Sequence, residues 1–180
     1  IKFIGGMGAM LDAMIASIAL FLIPPYFANA APVLFGGRVP LDGGTRLWDG
    51  RRLLGDGKTV KGLAAGIFIG LMAGSVEMLI MGSTAYFAIA LLSSLGAMFG
   101  DLLGSFIKRR MGIERGRQSV LMDQLLFILC ALAFSWPLLE AHLPLVLLPE
   151  SVAAILVLTY FMHRVMNIAA NMLGLKKVPW

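Results

Sequence analysis

The stretch Tyr86–Ile107 reads YFAIALLSSLGAMFGDLLGSFI, and it decides the fold class. It is long enough to cross the roughly 30 Å hydrocarbon core of a bilayer as a helix. Asp101 is its one charged residue, and small residues recur every four positions at Gly96, Gly100 and Gly104. The stretch therefore predicts a transmembrane helix that has a small-residue face and carries an acid.

The composition of the whole chain agrees with that prediction. Of the 180 residues, 59% are hydrophobic and 14% are charged, and the mean hydropathy is +0.87. A soluble domain carries about 25% charged residues and has too little interior at this size to hide so many apolar side chains. One cysteine, Cys130, excludes a disulfide scaffold, and solidly apolar runs exclude a transmembrane β-barrel, whose strands alternate.

Apolar windows predict an all-α integral membrane protein with five transmembrane helices in a single domain, residues 1–180. Asp12 near the start of the first window and the lack of a basic leader argue against a signal peptide. Pro24 and Pro25 are expected to interrupt this first span near its end. The predicted spans are about 10–31, 63–81, 86–107, 120–139 and 151–173.

The basic residues predict the orientation in the cell membrane. They cluster in two predicted cytoplasmic loops, 32–62 and 108–119, and Lys176 and Lys177 follow the fifth span. The other two connections carry no Lys or Arg. The positive-inside rule then places the N-terminus outside and the C-terminus in the cytoplasm. The net charge of +5 is explained in this way, and no nucleic-acid partner is expected.

Two acids at similar depth predict a site that faces the cytoplasm. Asp101 lies about 9 Å before the cytoplasmic end of the third span, and Asp123 lies just inside the fourth. Acids within a span mark function by default, and Mg²⁺ is often held by one or two carboxylates plus phosphates. The alternative is that each pairs with a nearby Lys or Arg. Asp12 and Glu77, toward the outer ends of their spans, are expected to be solvated at the interface.

Basic and hydroxyl residues beside these acids predict binding of a polyphosphate. Asp101, Ser105 and Lys108 share a helical face, and Arg109 follows. The preceding glycine-rich segment favours turns whose N–H groups converge on an anion, although a flexible, solvated loop near lipid headgroups is the alternative. Its candidate phosphate-binding residues are Asp56, Gly57, Lys58, Thr59 and Lys61.

Two further patterns each have two interpretations. Small residues recur every four positions on the second span, from Gly62 to Gly74, and on the third. Such faces pack helices closely, or they leave room for a ligand beside the third span. On the fifth span His163 and Asn167 share a face with Arg164 beside it, and these residues either tie helices together or contact the lipid substrate.

The segment Gly100–Arg109 resembles the Gly-Asp-Leu-x-x-Ser-x-x-Lys-Arg stretch of membrane CTP-dependent cytidylyltransferases, including bacterial phosphatidate cytidylyltransferases. Asp123 matches the Asp that follows near the start of their next helix. Lys58–Gly62 is similar to their Lys-Thr-x-Glu-Gly segment, with Lys61 in place of Glu. The Asp42-Gly43-Gly44 and Asp49-Gly50 repeats resemble the archaeal branch, the CDP-archaeol synthases, more closely.

The resemblance implies that CTP and an unsaturated ether lipid phosphate, 2,3-di-O-geranylgeranylglyceryl phosphate, give CDP-archaeol and pyrophosphate in phospholipid biosynthesis. It implies Mg²⁺ as the cofactor on Asp101 and Asp123, and Lys108 and Arg109 as further catalytic residues. Phosphate-binding roles fall on Ser105 and on the loop candidates given above. The alternatives are a phosphatidate cytidylyltransferase that acts on ester lipid, or a small ion or proton transporter with these acids as a relay. The oligomeric state stays open.

Overall fold

The computed structural model describes residues 2–113 and 119–175, and the described part is helical. Four helices are long and apolar enough to cross a membrane, and α5, with 17 residues, is a shorter apolar helix. The predicted all-α membrane fold is therefore confirmed at this level. The helices are α1 Lys2–Phe35, α2 Val60–Met81, α3 Thr84–Arg110, α4 Val120–Gln124, α5 Leu126–His142 and α6 Pro149–Met172, with a 3₁₀ turn at Pro144–Leu147.

Helix α1 continues through its prolines, so the expected interruption was wrong. Pro24, Pro25 and Pro32 all lie inside the helix, and the first two are fully buried. Prolines are tolerated in membrane helices because neighbouring helices and local adjustments satisfy the freed backbone groups. As a result the connection between α1 and α2 covers residues 36–59, a shorter loop than the predicted 32–62.

The predicted fourth span, 120–139, is broken rather than continuous. Helix α4 ends at Gln124, α5 begins at Leu126, and Leu125 between them has φ −112° and ψ −27°. A hydropathy window averages over many residues and cannot detect a break at one of them. Asp123 therefore lies on a separate five-residue helix rather than inside a long span.

The glycine face of α2 packs against α1 and α3. A Cβ atom on Gly66 would lie 2.9 Å from the Ala28 carbonyl oxygen of α1. A Cβ atom on Gly70 would lie 2.8 Å from the Ser94 Cβ atom of α3. These distances are shorter than ordinary van der Waals contacts, so the face is filled by neighbouring helices.

The glycine face of α3 packs against the backbone of α4 and α5. A Cβ atom on Gly100 would lie 2.5 Å from the Leu126 carbonyl oxygen, and one on Gly104 would lie 2.7 Å from that of Met122. Gly96 meets the Cys130 carbonyl in the same way. From Gly66 onward on α2, and along α3, these glycines thus serve helix packing inside the chain. Gly62, at the start of the α2 face, also borders a cavity beside α3, so the ligand interpretation keeps support at that end.

Glu77 is buried, which corrects the expectation of a solvated interfacial acid. Its residue exposure is 5%, and no described residue donates a hydrogen bond to its Oε1 atom. It follows Gly74 by three residues, so it continues the face of α2 that packs inward. Asp12 on α1, by contrast, is exposed as expected.

Some of the predicted basic residues cannot be placed. Residues 114–118 of the predicted loop 108–119, which include Arg115 and Arg117, lie outside the described residues. The same holds for Lys176 and Lys177.

Candidate active site

The loop between α1 and α2, residues 36–59, is called the polar loop here, and it has a defined fold. Its two ends are paired: the Leu41 N–H donates to the Lys58 carbonyl at 2.7 Å, and the Val60 N–H donates to the Val39 carbonyl at 3.2 Å. Residues Arg46 and Arg52 form a second antiparallel bridge within it. The backbone of this segment therefore has a defined arrangement, although many of its residues are exposed to solvent, as the alternative interpretation expected.

Asp42 organises the polar loop. Its side chain is fully buried and accepts hydrogen bonds from Arg52 Nη2 at 2.6 Å and Nε at 3.3 Å. The backbone N–H groups of Gly44, Leu54 and Gly55 donate to the same carboxylate at 3.1, 3.0 and 2.9 Å. The Arg52 guanidinium, with help from these N–H groups, holds the pKa of the Asp42 carboxyl well below its ordinary value.

Two arginines fasten the polar loop to the C-terminal end of α3. Arg51 Nη1 donates to the Arg110 carbonyl at 2.6 Å, and Arg110 Nη2 donates to the Arg52 carbonyl at 2.6 Å. Arg110 also forms an ion pair with Asp49 at 2.5 Å. Since α3 carries Asp101 and Lys108, these contacts fix the loop relative to both residues.

Lys58 on the polar loop pairs with Asp101 on α3. The Lys58 ammonium lies 2.6 Å from each oxygen of the carboxylate, and the two side chains are 25% and 27% exposed. Gly57, Lys58, Thr59 and Asp101 line one cavity where α1, α2 and α3 meet, together with Pro32, Gly62, Leu63, Met98 and Leu102. The structure thus brings together an acid and a base that are far apart in sequence, and it shows for Asp101 the pairing with a basic residue that the alternative interpretation predicted.

Lys108 pairs with Asp123 in a second ion pair of the same kind. The Lys108 ammonium contacts Asp123 Oδ1, while the Ser119 N–H donates to Asp123 Oδ2 at 2.9 Å. The two side chains are 14% and 26% exposed. Lys108 lies seven residues after Asp101 on the same face of α3, so the Cα atoms of these two residues are about 10 Å apart along the helix.

Three other candidates lie close to these pairs. The Thr59 hydroxyl accepts from the N–H groups of Gly37 and Gly62, both at 3.1 Å, so it caps α2 and ties it to the end of α1. Ser105, between Asp101 and Lys108 on their face, is 6% exposed. The Arg109 Nε atom is buried, and no described residue accepts a hydrogen bond from it.

The remaining loop candidates have other surroundings. Asp56 is 59% exposed and pairs with Arg52 at 2.7 Å. Lys61 is exposed on the first turn of α2, and its Cβ atom lies against Gly37. The structure therefore places neither side chain in the cavity that contains Lys58 and Asp101.

The polar residues of α6 connect it to α1. Asn29 Nδ2 lies 3.5 Å from His163 Nε2, and Asn167 Nδ2 lies 3.0 Å from His163 Nδ1. The Tyr26 hydroxyl of α1 donates to Thr159 Oγ1 at 2.9 Å. The contact with Asn29 supports the helix-tying interpretation for His163, Asn167 bonds to His163 within α6, and Arg164 is exposed.

Residues of the polar loop framework were not among the sequence candidates. Asp42, Arg51, Arg52 and Arg110 hold the loop, although none was assigned a site role. A signal for Asp42 was present: an Asp directly before glycines favours a turn in which the side chain accepts backbone N–H groups. Arg51 and Arg110 bond to backbone carbonyls 58 or 59 residues away, and contacts of this kind leave no pattern in the sequence.

The donor set fits a magnesium ion that is completed by substrate. The described residues contain no group of three or more acidic, His or Cys side chains that could hold a metal. They do supply two partly exposed carboxylates, each with a lysine ammonium where a cation would sit. Mg²⁺ is commonly bound in this way, by one or two carboxylates plus phosphates and water.

The fold and this site define a polytopic membrane protein with a charged site built between its helices. Comparison with known proteins identifies the group. Residues 10–180 match the family model described as "CarS-like: CDP-archaeol synthase". The CDP-archaeol synthase of Aeropyrum pernix is 49% identical over 170 residues and covers 94% of each chain. That of Thermococcus kodakarensis is 46% identical over 167 residues, 89% of this chain and 93% of the relative.

A solved structure described as an intramembrane enzyme for archaeal membrane lipid biosynthesis is also similar. It is 42% identical, with a TM-score of 0.69, and the match covers 85% of this chain and 91% of that one. The chain therefore belongs to the CDP-archaeol synthase family, and the resemblance inferred from Gly100–Arg109 is confirmed.

Proposed function

We propose that the chain joins CTP to 2,3-di-O-geranylgeranylglyceryl phosphate, with release of pyrophosphate, at the site formed by the two Lys–Asp pairs. As a member of its family it is a CTP-dependent cytidylyltransferase, an intramembrane enzyme of archaeal lipid biosynthesis. The transporter and the ester-lipid alternatives lose support for this reason. The observation that carries the placement of the site is the pairing of Lys58 with Asp101 and of Lys108 with Asp123.

The reaction needs charge neutralisation more than proton transfer. The acceptor lipid phosphate is already an anion, and it must approach the α-phosphorus of another anion. Lys58, Lys108 and Arg109 would balance the charge of the phosphate oxygens and of the departing pyrophosphate. Thr59 and Ser105 retain hydroxyl protons that could be donated to phosphate oxygens.

The two lysines fit a site that alternates between empty and loaded states. Without nucleotide, each ammonium neutralises a carboxylate that would otherwise be an unpaired charge near the membrane. When a phosphate chain and a cation enter, each lysine can turn to a phosphate oxygen while its carboxylate turns to the cation. A bound Mg²⁺ on Asp101 and Asp123 would supply Lewis-acid polarisation of the phosphate.

The orientation follows from the positive-inside rule, as in the sequence prediction. We place the polar loop and the α3 C-terminus in the cytoplasm, where CTP is available, with the N-terminus outside. At 1.5 Å per residue α5 is about 25 Å long, so it needs α4 or the following turn to complete a fifth span. The isoprenoid chains of the lipid would lie in the bilayer beside the helices. All the helices would belong to one transmembrane domain, residues 1–180.

The test is pyrophosphate release by purified enzyme in detergent with CTP and Mg²⁺. We expect release with the ether lipid phosphate and much less with an ester phosphatidic acid. Asp101→Asn and Asp123→Asn should each lower kcat/KM by about 100-fold or more, because a preorganised charged group is lost. Asp12→Asn, which changes an exposed acid on α1, is the matched control and should retain activity.

Two outcomes would contradict the proposal. Full activity of both Asn variants, at the same Mg²⁺ requirement as the wild type, would refute the placement of the site. Release that is equally fast with the ester lipid would refute the assigned acceptor.

A further inference from the structure

The backbone of Lys58 is held on both sides by residues next to Asp42, one bonded to its carboxylate and one adjacent to it in the chain. The Lys58 N–H donates to the Gly55 carbonyl at 3.2 Å, while the Gly55 N–H donates to Asp42 Oδ2 at 2.9 Å. On the other side the Lys58 carbonyl accepts from the N–H of Leu41, the residue before Asp42. Two short routes of hydrogen bonds and covalent chain therefore link the Asp42 carboxylate to Lys58.

This linkage matters because the Lys58 side chain is long and flexible. A fixed Lys58 Cα atom keeps the ammonium within reach of Asp101 and of a phosphate bound beside it. Gly55 adopts φ +95°, a left-handed conformation that costs little for glycine. It is held there by hydrogen bonds from its own N–H to Asp42 and from Lys58 to its carbonyl.

The burial of Asp42 shows that its charge is directed to the loop and not to a substrate. The side chain is 0% exposed, and its two oxygens receive hydrogen bonds from Arg52, Gly44, Leu54 and Gly55. A carboxylate with this many donors has little capacity left to coordinate a metal ion. Its contribution to the reaction must therefore act through another residue.

We infer that Asp42 is a positioning residue that acts through Lys58, by fixing the turn 55–58 from which Lys58 reaches the reacting phosphates. This inference rests on the proposed function, because it assumes that Lys58 contacts substrate. Asp42→Asn is the most direct perturbation. Whichever oxygen becomes the amide nitrogen, at least two N–H donors would then face another donor.

The experiment is a double-mutant cycle between Asp42→Asn and Lys58→Gln. A misplacement of about 1 Å can cost about 100-fold in rate, so Asp42→Asn should lower kcat/KM for CTP by about 10- to 100-fold when Lys58 is present. In the Lys58→Gln background the same change should cost less than about twofold. If Lys58→Gln activity is too low to measure, the Kd for CTP with Mg²⁺ replaces kcat/KM in the cycle.

Comparison of the Lys58→Gln background with the wild type distinguishes positioning of Lys58 from general damage to the loop. A purely structural defect would lower activity by the same factor in both backgrounds, and that result would overturn the inference. A fully active Asp42→Asn variant would overturn it as well. A fully active Lys58→Gln variant would instead refute the role of Lys58 in the proposed function, and the inference with it.

A second pair of variants covers the case in which Asp42→Asn does not fold. Gly55→Ala strains the turn that precedes Lys58, and it should show the same dependence on Lys58. Gly50→Ala is the matched control: Gly50 is a polar loop glycine with φ +72° and open space around it, and it bonds to Leu47 and Arg46 instead. Equal loss of kcat/KM in both glycine variants would contradict the inference.

Discussion

Asp42 and Asp101 carry the same carboxylate, but their surroundings assign them different tasks. Asp42 is sealed by five hydrogen bonds from the polar loop, whereas Asp101 is 27% exposed and has one flexible lysine as its partner. Rotation of the lysine side chain can free the carboxylate for a metal ion while the ammonium turns to a phosphate. The backbone N–H groups around Asp42 cannot be rearranged without refolding the loop. The surroundings of Asp42 therefore suit a structural role, and those of Asp101 suit substrate binding.

Asp42 should also make the stability of the folded protein depend on pH in the acidic range. Its folded-state pKa lies below the unfolded value of about 3.9. Its stabilising contribution is therefore fully present above that pH, and it is lost as the pH falls from there toward the folded-state pKa. We expect the unfolding midpoint in detergent to fall more steeply below about pH 4 in the wild type than in Asp42→Asn. Parallel curves for the two proteins would contradict this.

At the scale of elements, α3 organises the helix bundle, because one of its faces packs against other helices and another face carries site residues. Its glycine face lies against the carbonyls of α4 and α5, and its Asp101–Lys108 face carries half of each ion pair. The close approach at Gly104 brings α4 next to α3. This approach explains how Asp123, on a helix of five residues, meets Lys108.

Adding one methyl group to that glycine face should therefore destabilise the protein. The Cβ atom of Gly100→Ala would lie 2.5 Å from a backbone oxygen of Leu126, which cannot move away as a flexible side chain could. Overpacking of this kind costs about 1–3 kcal/mol. Thermal unfolding in detergent should show a lower midpoint for Gly100→Ala. Gly8→Ala, where a Cβ meets nothing within 4 Å, should unfold like the wild type, and an unchanged Gly100→Ala would refute the packing account.

For the whole molecule, the distribution of charge predicts the orientation in the membrane, and hence the side from which CTP would arrive. The polar loop is rich in arginine and lysine, while the connection between α5 and α6 has neither. Translocation of short loops is disfavoured by basic residues. The ion pairs are at the same end of the bundle as the polar loop, because Lys58 belongs to that loop.

Labelling of single cysteines tests this orientation. The starting protein is a variant without Cys130. A single cysteine is then introduced at Thr45 in the polar loop or at Ala141 near the end of α5, and both positions are exposed. We expect a membrane-impermeant maleimide to label Thr45→Cys only in inside-out vesicles and Ala141→Cys only in right-side-out vesicles. The reverse pattern would place the polar loop outside the cell and contradict a cytoplasmic site.

The sequence by itself determined the membrane class, the approximate positions of the helices and the family. Each of these depends on hydropathy over many residues or on a local motif such as Gly100–Arg109, and a local pattern survives without knowledge of the contacts. It also located Asp101, Asp123, Lys58 and Lys108 as candidate site residues. Their roles in the reaction remain predictions.

Tertiary structure alone decided which residues pair. The assignment of Lys58 to Asp101 and of Lys108 to Asp123, the burial of Glu77 and the break at Leu125 all depend on how helices approach one another. Asp42 gained its importance in the same way, from donors that lie 2 to 13 residues away and converge only in the folded loop. The ion pairs join segments that are far apart in sequence, whereas the donors of Asp42 lie within one loop and meet only when that loop folds.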